Sequence, residues 1–169
     1  MGTTLYKRIL VTLDGSAHSE EVLPEVSRLV EGCAATVFFL RVAPTPGTTS
    51  ARSAQEKPFA PSFAPGATVK PRAPELVESK DQAIDRLTEE IHQYLEGKAR
   101  ELRGRGVEVR TAVRFGNPAN EIVRYAAAEG VDLVAMSTHG QTGLLRLILG
   151  SVAHEVLERR VAPLLLVRP

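Results

Sequence analysis

Ser137, Thr138, His139, Gly140, Gly143, Gly150 and Ser151 stand close together and carry the types that chemistry needs. They follow an apolar run at 131–136 that reads as a buried strand, and they lead into a helical pattern beginning near Ser151. A strand, a glycine-bearing loop and a helix start, in that order, make an anion cradle. Glycine lets the backbone approach a ligand that any Cβ would hold off. The first amides of a helix have no intrahelical acceptor and sit at the positive end of its dipole, so they suit a phosphate. Asp14, at the end of the apolar run 9–13, adds a carboxylate at the carboxyl end of another strand.

Other chemistries fit less well. Ser151 with His154 or His139 and Asp14 has the composition of a hydrolase triad, but the Gly-x-Ser-x-Gly elbow is absent. No Gly-x-x-x-x-Gly-Lys-Ser/Thr occurs, which excludes a P-loop. Gly104-Arg105-Gly106 lacks the third glycine of a dinucleotide fingerprint and precedes a strand instead of following one. His139 is read as orienting the loop, since nothing beside it in the sequence marks it as an activated base.

The elements that must position these residues are legible in the periodicity. Residues 9–13 and 36–42 are short, β-rich and apolar. Between them Ser16 caps a helix with Glu20 and Glu21 near its start, and Val22, Val26, Leu29 and Val30 on one face. Pro24 is expected to kink that helix and Gly32 to end it. Residues 75–103 predict a long helix with Ile84, Leu87, Ile91, Leu95 and Leu102 as its buried stripe, stopped by Gly104 and Gly106. Residues 107–115 alternate, which predicts a half-exposed strand at a sheet edge. Asn117-Pro118 opens the next helix, with Ile122, Val123, Ala126 and Ala127 facing inward. Val152, Val156 and Leu157 face inward from the last helix, and 164–167 form a fifth strand.

Strands alternating with helices predict an α/β protein: an open five-stranded parallel sheet with helices on both faces, Rossmann-like in layout. Ligands of such sheets sit beyond the carboxyl ends of the strands, where strand order reverses. Asp14, Val42 and the 137–140 loop all fall at carboxyl ends and are expected to share one crevice.

At 169 residues the chain is read as a single domain, 1–169. Residues 43–74 interrupt it, rich in Pro, Ala, Ser, Thr and Gly and without periodicity. That composition predicts a mobile insertion with Phe59 and Phe63 as its anchors. A net charge of +1 gives no field to recruit nucleic acid or a membrane surface. Cys33 is the only cysteine, so no intrachain disulfide forms. With no signal-peptide pattern and no membrane-length apolar run, a cytoplasmic setting is expected.

On these residues the chain resembles the universal stress protein family. The resemblance covers nearly its whole length. It lies in the Ile9-Leu10-Val11-Thr12-Leu13-Asp14-Gly15-Ser16 start, Leu40-Arg41-Val42, Gly116-Asn117-Pro118-Ala119 and Pro163-Leu164-Leu165-Leu166-Val167. The specific element is that family's ATP-binding pattern: Gly, two residues, Gly, nine residues, then Gly with Ser or Thr. Gly140, the nine residues 141–149 and Gly150-Ser151 fit it, whereas Ser137 stands where the first glycine is expected. A serine there either weakens a backbone contact or adds a hydroxyl contact.

The resemblance implies the adenine nucleotide alpha hydrolase-like fold and an ATP ligand, with Mg²⁺ held through the phosphates. It implies Asp14 beside the ribose or adenine, with Thr12 and Leu13 lining the same pocket. Val42 would read the adenine edge through its backbone, with Met136 packed nearby. Ser137, His139 and Gly140 would face the phosphates, with Gly150, Ser151, Val152 and Ala153 at the helix start. It also implies a homodimer, and the apolar terminal strand 164–167 is the expected interface. ATP is expected to act as a conformational or stability ligand, with slow hydrolysis at most. A nucleotide-free scaffold of the same fold is the alternative.

Overall fold

A computed structural model of the chain describes residues 5–46, 79–138 and 150–168. Five parallel strands form one sheet in the order β3-β2-β1-β4-β5. They are β1 (Arg8–Thr12), β2 (Thr36–Ala43), β3 (Glu108–Phe115), β4 (Leu133–Ser137) and β5 (Leu164–Val167). Between them lie α1 (Ala17–Glu20), α2 (Val22–Val30), α3 (Lys80–Gly104), α4 (Pro118–Ala128) and α5 (Ser151–Arg159). The chain builds outward from β1 to β3, then returns to place β4 on the other side of β1. Strand order therefore reverses between β1 and β4, which opens a crevice at their carboxyl ends.

Side chains alternate across the strands, so each sheet face has its own core. Ile9, Val11, Val37 and Phe39 pack with Val22, Val26 and Val30 of α2 and Ile91, Leu95 and Ala99 of α3. Leu10, Phe38, Leu40 and Met136 pack with Ile122 and Tyr125 of α4 and Ala153 and Val156 of α5. The central strands are buried on both sides, which is why they read as continuous apolar runs. The alternating strand β3 lies at one edge, as its pattern predicts, and β5 at the other.

The helix boundaries follow local chemistry. Ser16 caps α1 by accepting from the Ser19 amide, and Asn117 caps α4 by accepting from the Asn120 amide. Ser79 and Gln82 form a reciprocal capping box at the start of α3. Gly106 ends α3 at φ +83, with its own amide on Arg103 and the Val107 amide on Leu102. Gly130 ends α4 at φ +59 by the same paired bonds.

The structure corrects several expectations in detail. Pro24 does not kink a continuous helix: the chain breaks at Glu21, and Pro24 sits in the first turn of the separate helix α2. There a missing N–H deprives no intrahelical bond. Tyr125, not Ala127, faces the core from α4, because α4 packs towards Phe38, whose ring Tyr125 meets edge-on at 6.1 Å. Leu157 is 50% exposed, and Ala153 takes the inward position on α5. Ala43 is a buried residue of β2 and belongs to the sheet. Residues 47–74, with Phe59 and Phe63, lie outside the described residues, as do 75–78 at the start of the expected long helix.

Two carboxylates tie helices to their surroundings. Burial raises the Glu20 carboxyl, but hydrogen bonds from Lys98 and Tyr94 outweigh it and leave the group below its ordinary value. Arg103, then Thr111, holds Glu96 below its ordinary value. A carboxyl depressed in the folded state contributes stability that is present above its unfolded pKa and lost as pH falls through its folded pKa. The melting temperature is therefore expected to stay level down to about pH 5 and to fall below about pH 4. In Glu20→Gln that acid-side fall should be shallower; an identical profile would remove Glu20 from the account.

Candidate nucleotide-binding site

A cavity of about 250 Å³ lies at the carboxyl ends of β1, β2 and β4, beside the reversal of strand order. Small-molecule sites begin at about 300 Å³; the 139–149 segment that joins β4 to α5 is outside the described residues. The floor is apolar, made by Leu40 and Val42 of β2, Ile122 of α4, Met136 of β4 and Val152 and Ala153 of α5. The polar lining comes from Thr12 of β1 and the exposed Asp14 after it, from buried Ser19 of α1, and from Ser137 and Thr138 at the end of β4. An apolar slot with such polar groups suits a flat heterocycle bearing a polar tail.

The Asp14 turn is built by its own short-range bonds. The Asp14 carboxylate accepts from the Ser16 amide at 2.8 Å and the Ser16 hydroxyl at 2.6 Å. Ser16 in turn caps α1, while the Ser19 hydroxyl accepts from the Asp14 amide at 3.2 Å and donates to the Ser16 carbonyl at 2.8 Å. These bonds leave the carboxylate exposed at the rim.

Opposite it, α5 begins without a side-chain cap. Gly150 is its N-cap at φ −54, and a Cβ built there meets nothing within 4 Å among the described residues. None of the described residues therefore requires glycine at this position. Its bareness keeps the approach to the first amides of α5 clear, as an anion would need.

Ser137 ends β4, and its hydroxyl is enclosed without a hydrogen-bond partner among the described residues. Leaving such a group unsatisfied costs about 1–3 kcal/mol. Ser137→Ala is accordingly expected to raise the melting temperature of ligand-stripped protein, by about 2–4 °C for each kcal/mol recovered. A fall in melting temperature would mean that the hydroxyl is satisfied after all.

Thr12, Leu13, Asp14, Val42, Met136, Ser137, Gly150, Val152 and Ala153 all line this one cavity. Ser151 is exposed and is not part of the lining. At the first helical position it can reach the approach to the cavity only from outside. His139 and Gly140 lie outside the described residues. Ser19, Leu40, Pro118 and Ile122, which the site expected from the sequence left out, also line the cavity, as does Thr138 of the loop motif. Leu40 and Val42 share one face of β2, so the two-residue period could have paired them; Ser19, Pro118 and Ile122 arrive only through helix packing.

A wider cavity, about 570 Å³, lies between α2 and α3, lined in part by Glu20, Arg28, Lys98, Glu101 and Arg105. Its charges already pair within the chain: Lys98 with Glu20, Arg28 with Glu25, Arg105 with Glu101. Among the described residues no cluster of His, Cys, Asp and Glu is placed to hold a metal ion, and no helix is long and apolar enough to cross a membrane.

The sheet order and the cavity define a class: doubly wound α/β proteins with a ligand crevice at the topological switch point. The model of the universal stress protein family matches residues 5–168, and the chain belongs to that family. Universal stress protein MJ0531 of Methanocaldococcus jannaschii is 31% identical over 99% of this chain and 85% of its own length. Universal stress protein MJ0577 of the same organism is 36% identical over 54% of this chain and 56% of its own length. The solved structure of MJ0577 superposes with a TM-score of 0.72 at 28% identity, covering 98% of this chain and 97% of that one. The universal stress protein of Archaeoglobus fulgidus in complex with dAMP shares the fold, with a TM-score of 0.58 and 18% identity over 96% of this chain and 98% of that one.

Proposed function

We propose that this chain is an ATP-binding universal stress protein, with the nucleotide acting as a ligand that shifts conformation or stability. The observation that carries the reading is the convergence of residues from both ends of the chain on the β1–β4 switch-point cavity. Asp14 stands on one side of it and the uncapped start of α5 on the other. The adenine would occupy the slot between Val42, Ile122 and Met136. Asp14 would accept from the ribose hydroxyls. The phosphates would lie towards Gly150 and Ser151, where the α5 amides and dipole favour negative charge. Mg²⁺ would be carried by the phosphate oxygens and water. That a relative of the same fold was solved with dAMP supports an adenine nucleotide as the ligand class.

The reading includes a homodimer through β5, a cytoplasmic setting, and no catalytic role beyond slow hydrolysis. The experiment is direct. Freshly purified protein, heat-denatured, is expected to release an adenine nucleotide detectable by mass spectrometry, and calorimetry on stripped protein is expected to give heat with Mg-ATP. Protein that releases no nucleotide, and shows neither heat nor thermal shift at millimolar Mg-ATP, would leave the nucleotide-free scaffold in its place. Steady turnover of Mg-ATP would instead make it an enzyme.

A further inference from the structure

Arg41 stands next to Val42 near the carboxyl end of β2, but on the other face of the sheet, the face of Phe39 and Ala43. Its guanidinium carbon lies 5.5 Å from the centre of the Tyr94 ring of α3. The same group fills the space that a side chain at Gly15 would need: a Cβ built there would be 2.8 Å from Nη1, 2.9 Å from Cζ and 3.0 Å from Nη2. Gly15, at φ +87, is the bend on which the chain turns from Asp14 into α1. It is glycine because a side chain would be strained at that φ, and any Cβ would also displace the Arg41 guanidinium.

Tyr94 is itself held in place. Its hydroxyl donates to Glu20 at 2.9 Å, and Lys98 donates to the other oxygen of the same carboxylate at 2.5 Å while lying 5.7 Å from the ring centre. A chain of contacts therefore runs from α3 through Tyr94 and Arg41 to the turn that carries Asp14. A planar, delocalised cation fits over a ring and beside a side-chain-free turn in a way that the compact ammonium of lysine does not.

We infer that Arg41 is a positioning residue for ligand binding: packed between Tyr94 and the Gly15 turn, it holds Asp14 in the orientation that meets the ribose. The inference rests on the nucleotide reading and adds to it a residue that touches no ligand. Its action through Asp14 makes the two residues energetically coupled, which a merely stabilising role would not.

The test combines a double-mutant cycle with hydrogen exchange on the full chain. Arg41→Met keeps much of the stem and removes the fork. It is expected to weaken AMP binding about fivefold or more in the wild-type background, and less than about twofold where Asp14→Ala is already present. Arg41→Lys should restore little of the loss. In the ligand-free protein, Arg41→Met should speed exchange of the Ser16 amide, which is bonded to the Asp14 carboxylate. An equal loss of AMP affinity in both backgrounds would overturn the inference, as would unchanged Ser16 exchange. A wild-type chain that binds neither AMP nor Mg-ATP sinks the nucleotide reading instead, and exchange then judges the Arg41 clamp by itself.

Discussion

Gly150→Val is expected to remove measurable Mg-ATP binding while leaving the fold in place. The argument is one of space. A Cβ at Gly150 meets no atom of the described residues within 4 Å, and the backbone there, at φ −54, accepts an L side chain. The branched side chain would instead stand at the mouth of the α5 amides, where a phosphate must come within hydrogen-bond distance. Charge-assisted bonds of this type contribute about 1.5–3 kcal/mol each, so losing two of them should weaken binding by roughly a hundredfold or more. The cost to the fold is confined to a less favourable N-cap, about 1 kcal/mol or less. Calorimetry with Mg-ATP, paired with thermal melting, checks both halves. Undiminished affinity in a folded variant would move the phosphates away from α5.

Leu165→Lys is expected to convert a dimer into a monomer. The two sheet edges differ in kind. On β3, Glu108, Arg110 and Arg114 face out, and the Arg103 side chain donates twice to the Val109 carbonyl. On β5 all four residues, Leu164–Val167, are aliphatic and only half-buried. An exposed apolar edge invites pairing with a second chain, and a lysine on such an edge is a common natural block to it. Sedimentation at tens of micromolar should find wild type dimeric and the variant monomeric and folded. A folded variant that stays dimeric would transfer the interface to another surface, with the exposed Leu157 of α5 the first candidate.

Much of this was legible in the sequence because the signals are local. The runs 9–13, 36–42 and 131–136 are apolar because their strands are covered on both faces. The alternation in 107–115 marks an edge strand because one side of it faces water for much of its length. Ser16 and Asn117 announce helix starts, and Gly106 ends a helix, because caps are made by residues a few positions apart. The helix break at Glu21 was not legible. Whether a proline kinks a helix or begins one depends on where the preceding turn is pinned, and here Asp14, Ser16 and Ser19 pin it.

By itself, the sequence determined the order and type of the elements, the switch-point crevice they imply and the residues at its strand ends, since each follows from period, cap or spacing along a few neighbouring positions. Tertiary structure alone decided what is contributed from a distance. It brought Pro118 and Ile122 to the wall of the cavity, turned Tyr125 inward and Leu157 outward, and left the Ser137 hydroxyl without a partner among the described residues. It also set Arg41 between Tyr94 and Gly15, three residues far apart in the chain. Such contacts depend on how whole helices settle against the sheet, a balance of packing over many side chains that no short window of residues records.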